Sequence, residues 1–295
     1  MNEFKGLVEN DIKKANVFIC GIPSDKNSVY RHGAALFPRT LRSASYLLPP
    51  TDIVGNNLTK IKLYDCGDYA YEDLNKLTNE LQFNFLSKEG FHIIFGGDHS
   101  VTIPAERAFY CKCLKLNKEP VIIHLDAHLD MINEHDGNNL SNSSVIARAI
   151  EYGYSDKNIT IIGARSFEVK EKDLLTSHSK IDVFKAIDLR KLAVSGLAEY
   201  LINKYADSKY LVYLSVSLDV LDPSFAPSVQ APVAFGLTNY ETSGIIGALV
   251  SGLKVDCVDF VEATPAFDAN GQTISLTLKL IYEMFASLIS SENIN

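Results

Sequence analysis

Acidic residues cluster in four short segments of this 295-residue chain, and two of these segments also contain a histidine. The segments read GGDHS at 96–100, DAHLD at 126–130, SVSLDVLDP at 215–223 and DFVEATP at 259–265. Carboxylates and imidazoles are the side chains that bind divalent cations and that transfer protons near neutral pH. The four segments therefore predict a site with metal or acid–base chemistry.

The segment DAHLD places three possible metal ligands, Asp126, His128 and Asp130, at alternate positions. In an extended chain, all three side chains point to the same side. Carboxylates at strand ends also cap helices, so this segment alone does not decide between the two uses. The presence of His99 and Asp219 in other segments favours a metal site. Nitrogen and oxygen ligands without cysteine suit Mn²⁺ better than a structural zinc ion.

Short runs of β-branched and aromatic residues alternate with longer segments of helical period, which is typical of strand–helix–strand units around a parallel sheet. The predicted strands are 16–20, 61–65, 92–96, 121–126, 159–163, 181–184, 211–219 and 255–262. Four of these strands lead directly into the polar segments. Because ligands bind beyond the carboxyl ends of parallel strands, we expect one site there. The sequence thus predicts an α/β fold with a mostly parallel sheet of about eight strands, in a single domain over residues 1–295.

The composition is typical of a soluble globular protein, with 46% hydrophobic and 22% charged residues. A net charge of −8 disfavours a nucleic-acid partner and is compatible with a small cationic substrate. Five cysteines without a CxxC pair argue against a disulfide framework or a zinc knuckle. The longest apolar runs fall far below the roughly 20 residues of a membrane span, and the N-terminus does not resemble a secretory signal. We therefore expect a cytoplasmic protein with no membrane partner.

The four segments resemble, in order and spacing, the motifs of the ureohydrolase family, which includes arginases, agmatinases and formiminoglutamases. Agmatinases are the most similar branch, and the stretch GIPSDKNSVYRHGAALFPRTLRSAS resembles the first loop and helix of the family. The resemblance covers nearly the whole chain. It implies a three-layer α/β/α fold, a homotrimer or homohexamer, and two Mn²⁺ ions that activate water. The implied reaction is hydrolysis of agmatine, a small cationic guanidino compound, to putrescine and urea in polyamine biosynthesis.

The resemblance also implies roles for individual residues. The implied metal positions are His99, Asp126, His128, Asp130, Asp219 and Ser217. Asp126 would bridge two ions in the catalytic centre. Glu262 would pair with the planar guanidinium of the substrate, which is suited to carboxylate binding through two hydrogen bonds. Asn139 and Asn142 are the further candidates for substrate binding.

The first departure from the family motif is Ser217, which occupies the position of a second bridging aspartate. A neutral hydroxyl is a poor Mn²⁺ ligand, so at least one ion should bind more weakly. Asp126, Asp130 and Asp219 together supply a charge of −3 against the +4 of two divalent ions. A site with one ion, or with little metal, is therefore an open alternative.

The second departure is Asn142, which occupies the position of the histidine that shuttles protons in agmatinases. Asparagine cannot transfer a proton at neutral pH. His135 lies a few residues earlier and could take over this catalytic role if its loop folds inward. Otherwise His135 is a solvated loop residue.

Three functions remain open on this evidence. An agmatinase-like hydrolase leads, because the acidic loop residues Glu134 and Asp136 suit a substrate with a cationic far end. A formiminoglutamase also lacks the shuttle histidine, but it would need a basic side chain such as Arg148 or Arg165 pointing into the site. The third alternative is a ureohydrolase-fold binding protein that has lost turnover, which the two departures motivate.

Overall fold

The chain folds around one parallel β-sheet, as seen in a computed structural model that describes residue 4 and residues 6–291. The strands are β1 (Val17–Gly21), β2 (Leu63–Asp68), β3 (Phe91–Phe95), β4 (Glu119–Leu125), β5 (Ile159–Ala164), β6 (Asp182–Lys185), β7 (Tyr210–Ser217) and β8 (Val255–Val261). Their order in the sheet is β2-β1-β3-β8-β7-β4-β5-β6, and every neighbouring pair is parallel. The predicted α/β class is confirmed, and each predicted strand overlaps one observed strand. The single-domain organisation stays a prediction.

Helices cover both faces of the sheet. They are α1 (Phe37–Ser45), α2 (Leu74–Ser87), α3 (Thr102–Lys115), α4 (Val145–Tyr152), α5 (Val169–Ser177), α6 (Ala186–Tyr205), α7 (Asn239–Gly252) and α8 (Gln272–Ser290). On one face α1 packs beside α8, α8 beside α7 and α7 beside α6. On the other face α2 packs beside α3, and α3 beside α4. The three-layer α/β/α architecture is therefore confirmed.

The strands are apolar on both sides because both faces are covered. In β3, Phe91, Ile93 and Phe95 join the core under α8 and α7, whereas Ile94 joins the core under α2 and α3. Successive side chains of a strand point to opposite faces, so each strand contributes to both layers of packing. This burial explains why the strands read as nearly continuous apolar runs.

Helix α8 is, among the residues described, the one helix long and apolar enough to cross a membrane. Leu278, Ile281 and Phe285 on this helix are fully buried in the core against the sheet. Its apolar character is therefore that of a core helix.

The sheet order brings the four polar segments together. Strands β3, β8, β7 and β4 are consecutive neighbours in the centre of the sheet. Each of the four polar segments begins at or just beyond the carboxyl-terminal part of one of these strands. The predicted convergence of the segments at one edge is confirmed, and that edge contains the candidate site.

Candidate metal centre and substrate cavity

Three buried ligands form a first group, which we call the deep cluster: His99, Asp126 and Asp130. His99 Nδ1 lies 2.9 Å from Asp126 Oδ2 and 3.0 Å from Asp130 Oδ2. His99 follows β3 in a short 3₁₀ turn that begins at Asp98, whose carboxylate accepts a hydrogen bond from Ser100 N at 2.9 Å. Asp98 therefore stabilises the turn that orients His99, as a carboxylate at a helix N-cap does.

A second group, the outer cluster, consists of Asp126, His128 and Asp219. His128 Nδ1 lies 3.3 Å from Asp126 Oδ1 and 3.2 Å from Asp219 Oδ2. Asp126 thus belongs to both clusters and offers a different carboxylate oxygen to each. The bridging role that the family resemblance implies for Asp126 stays a prediction.

The segment DAHLD reaches the site in a different conformation from the extended one expected. Strand β4 ends at Leu125, and the next residues form a bend. The backbone N–H of His128 donates to Asp126 Oδ1 at 2.6 Å, and Asp130 has a positive φ of 52°. Because the chain turns here, the three ligands are divided between two clusters and do not line up on one side of a strand.

A buried hydrogen-bond chain determines which nitrogen of His99 carries the proton. Ser215 Oγ donates to Asp259 Oδ1 at 2.7 Å, so the same hydroxyl accepts from His99 Nε2, which is 2.9 Å away. Asp259 is fully buried and also accepts from Tyr213 and Thr102. With Nε2 protonated, the lone pair of a neutral imidazole is on Nδ1 and faces the deep cluster. Such partners commonly orient the histidine ligands of metals.

The donor set fits divalent cations. Burial opposes protonation of His128, but the charge of Asp219 and the hydrogen bond to Asp126 outweigh it and raise the pKa of His128 to about 12. The pKa of His99 is raised well above its usual value for a similar reason, since the hydrogen bonds of Asp126 and Asp130 outweigh burial. Both imidazoles therefore lie where carboxylates attract positive charge, and a metal cation satisfies the same attraction while using the nitrogen lone pairs.

Ser217 lies at the end of β7, beside the outer cluster. Its side chain is fully buried, and its hydroxyl donates to Asp219 Oδ1 at 2.7 Å. Ser217 does not line the cavity described below. The structure thus places Ser217 as a hydrogen-bond donor to a candidate ligand; its own role as a ligand stays a prediction.

A cavity of about 160 Å³ opens over both clusters. Glu262, which follows β8, lines this cavity and is 2% exposed. Its Oε1 atom accepts from the backbone N–H of His99 at 2.6 Å. The backbone of Glu262 has an uncommon positive φ of 73°. Burial and the charge of Asp219 raise the pKa of Glu262 well above its usual value. A buried carboxylate in such a strained position is typical of a functional residue.

Asn142 also lines the cavity and is linked to Glu262. Its Nδ2 group donates to Gln230 Oε1 at 3.1 Å and approaches Glu262 Oε1 at 3.4 Å. Gln230 is fully buried and donates in turn to Ser28 Oγ, whose hydroxyl donates to Asp98. Gln230 was not predicted as a site residue. Its side chain is uncharged and lies outside the four polar segments, so no signal in the sequence identified it.

The two other predicted residues of this region lie in different places. His135 lines the cavity with a side chain that is 36% exposed, so its loop does fold toward the site. Asn139 is exposed and does not line the cavity, and its carbonyl accepts from Arg148 at 2.8 Å. The structure therefore brings His135 to the site and leaves Asn139 outside the cavity.

Two acidic residues of the cavity, Glu168 and Glu171, were missed by the sequence reasoning. They form a capping box at the start of α5, in which Glu171 Oε2 accepts from Glu168 N at 2.9 Å. The spacing E-x-x-E after a predicted strand was a signal for this position. Glu134 and Asp136, which the sequence favoured for a cationic substrate, are exposed and do not line the cavity.

The basic residues considered for a formiminoglutamase bind elsewhere. Arg148 donates to Asn139 O and to Glu151. Arg165 donates to backbone carbonyl groups, including those of Asp219 and Val233. Neither arginine lines the cavity, and among the residues that the structure describes no lysine or other arginine lines it.

Comparisons with known proteins show which proteins this chain is similar to. The sequence profile of the arginase family matches residues 15–286. An agmatinase of Bacillus subtilis is 28% identical over 284 residues, which cover 94% of this chain and 93% of that protein. A guanidinobutyrase of Pseudomonas aeruginosa is 28% identical over 277 residues, which cover 91% of this chain and 85% of that protein. The crystal structure of an agmatine ureohydrolase of Thermoplasma volcanium has a TM-score of 0.86 at 28% identity, and the match covers 99% of this chain and 96% of that chain.

Proposed function

Because this chain belongs to the arginase family, we propose that it is a metal-dependent hydrolase of a guanidino compound, and that agmatine is its first candidate substrate. The observation that carries this proposal is the position of Glu262. It is a buried carboxylate in the same cavity as two clusters of metal-binding side chains. A guanidinium group is planar and donates several hydrogen bonds, so a fixed carboxylate is a suitable partner for it.

The chain's own residues account for several requirements of the reaction. Divalent ions, for which we propose Mn²⁺, would supply an activated water when bound at the two clusters. Glu262 would hold the guanidinium, with its Oε1 atom fixed by the backbone of His99. Water is then added across one C–N bond: its oxygen joins the guanidinium carbon, and the nitrogen leaves as an amine that has gained a proton. The products are urea and a primary amine, which is putrescine when agmatine is the substrate.

His135 is the residue we assign to the proton transfer. Of the three histidines that line the cavity in the described structure, it belongs to neither metal cluster, whereas His99 and His128 do. Its partial exposure allows exchange of protons with solvent. Asn142, at the position of the family's shuttle histidine, instead contacts Glu262 and would help to position the substrate.

The charge of the cavity lining favours agmatine among guanidino compounds. Glu168 and Glu171 lie in the wall, and within the described part of the chain no lysine or arginine does. A cationic far end is attracted to such a wall, and a carboxylate is repelled. This charge pattern disfavours formiminoglutamate, whose carboxylates need basic partners.

The test is urea release from agmatine by protein loaded with Mn²⁺, measured with and without a chelator. We expect metal-dependent release of urea and putrescine. Formiminoglutamate is the matched alternative substrate, and release of formamide from it would replace the proposal with a formiminoglutamase. If neither substrate turns over while agmatine still binds, the chain is a binding protein, which the residues Ser217 and Asn142 would explain.

A further inference from the structure

The two clusters differ in how well their ligands are prepared for a cation. In the deep cluster, the side chains of His99, Asp126 and Asp130 are at most 8% exposed. The ring of His99 is held from behind by Ser215, so its Nδ1 atom faces the two carboxylates. The deep cluster is therefore preorganised, and less free energy is lost in ordering it when an ion binds.

The ligands of the outer cluster are less well preorganised for binding a cation. The side chain of His128 is 27% exposed. Asp219 Oδ1 already accepts from Ser217 Oγ at 2.7 Å and from Ala127 N at 3.2 Å, so its Oδ2 atom is the one that faces His128. Asp126 Oδ1 likewise accepts from the backbone N–H of His128. Each ligand of the outer cluster thus offers one atom to a cation. Of the three ligands, Asp126 is shared with the deep cluster and the side chain of His128 is partly exposed.

Charge favours the deep cluster for the first ion. Asp126 and Asp130 supply −2, which balances one divalent cation. A second ion adds +2 and gains one further carboxylate, Asp219, because Asp126 is shared. Ser217, directly beside Asp219, contributes a neutral hydroxyl at the place where a carboxylate would restore the balance. The attraction between an ion and a carboxylate in contact stays substantial even when it is strongly screened.

We propose that this chain binds one divalent ion tightly in the deep cluster and a second ion only weakly in the outer cluster, and that Ser217 causes the difference. The inference rests on the proposed function for the use of metal ions. Its test measures metal binding, so it does not depend on whether the protein turns over agmatine.

The experiment titrates the metal-free full-length chain with Mn²⁺ by calorimetry and measures the ions retained after dialysis by elemental analysis. We expect one retained ion per chain and a second with an affinity at least about 100-fold lower. Asp130→Asn should abolish binding of the tightly held ion. His128→Ala should leave that ion bound and lower only the affinity for the second ion. The inference would be overturned if the wild-type chain bound two ions equally tightly or retained none. It would also be overturned if His128→Ala lost the tightly bound ion while Asp130→Asn kept it.

Ser217→Asp tests the cause. We expect two tightly bound ions, with the magnetic coupling of a Mn²⁺ pair in the electron paramagnetic resonance spectrum. Ser217→Ala is the matched control, because it removes the hydroxyl without adding charge and should change the second affinity less than about tenfold. If Ser217→Asp folds, as judged by circular dichroism, and still binds one ion, Ser217 is not the cause. One tight ion in a protein that releases no urea would support this inference and contradict the proposed function.

Discussion

Replacing Glu262 by glutamine should remove most of the activity while leaving the fold and the metal clusters in place. Glutamine has nearly the same shape, and its oxygen can still accept from the backbone of His99, as Glu262 Oε1 does at 2.6 Å. The other oxygen becomes an NH₂ group. It would face a substrate group that has only donors, so one charge-assisted hydrogen bond is lost and the cation loses its partner.

The size of the effect follows from the burial of the side chain. Glu262 is 2% exposed, so solvent cannot replace the lost partner. A hydrogen bond to a charged group contributes about 1.5–3 kcal/mol. Breaking a buried charged pair costs about 2–5 kcal/mol. A loss of roughly 3–4 kcal/mol corresponds to a decrease of about 10²–10³-fold in kcat/KM.

The assay is urea release over a range of agmatine concentrations, with metal content and thermal unfolding measured on the same samples. Glu168→Gln is the matched control, since it makes the same chemical change at an exposed position of the cavity and should lower kcat/KM less than about fivefold. If wild-type turnover is absent, the dissociation constant of agmatine replaces kcat/KM as the readout. Retention of more than one-tenth of wild-type kcat/KM in Glu262→Gln would refute the assignment of guanidinium binding to Glu262.

Three further substitutions test the packing of the fold and the support of the site. Burial lowers the pKa of His92 from 6.5 to about 3, so the folded state gives up a proton that the unfolded state holds, and stability is lost as pH falls below 6.5. His92→Phe should therefore reduce the loss of unfolding free energy between pH 8 and pH 4.5 by about 2–3 kcal/mol in urea titrations. Gly97→Ala would place a Cβ atom 1.7 Å from Ser24 O and should lower the free energy of unfolding by about 1–3 kcal/mol or more. Ser215→Ala removes the acceptor for His99 Nε2 and should lower Mn²⁺ affinity about 10–100-fold in calorimetry.

Matched controls accompany these three substitutions. His32 is exposed, so His32→Phe is the control for the first substitution. The Cβ of Gly196→Ala would meet only side-chain atoms of Leu192, at 3.0 Å, and should be tolerated. Ser228→Ala removes a buried hydroxyl that donates to Thr264 O, and it should leave Mn²⁺ affinity unchanged. An equal effect in a test substitution and its control would contradict the reasoning for that pair.

The sequence by itself determined the class of fold and the place of the site. Apolar runs buried on both faces require helices on both sides, so their alternation with helical segments indicates a parallel three-layer architecture. Asp126, Asp219 and Glu262 come directly after strand ends, and the carboxyl ends of parallel strands share one edge. These are local properties of the chain, so they can be recognised without knowing which distant segments contact each other in the fold.

Only the tertiary structure decided how the site residues are used. The order β3-β8-β7-β4 depends on long-range pairing and on the packing of both helix layers, which no local pattern contains. The bend after β4 places Asp126 in both clusters. The packing of β7 places the Ser217 hydroxyl within hydrogen-bond distance of Asp219. The same non-local contacts bring Glu168 into the cavity wall and leave Asn139 outside it. A motif specifies which side chains are available, whereas distances of 2.6–3.3 Å between their atoms arise from the packing of the whole sheet.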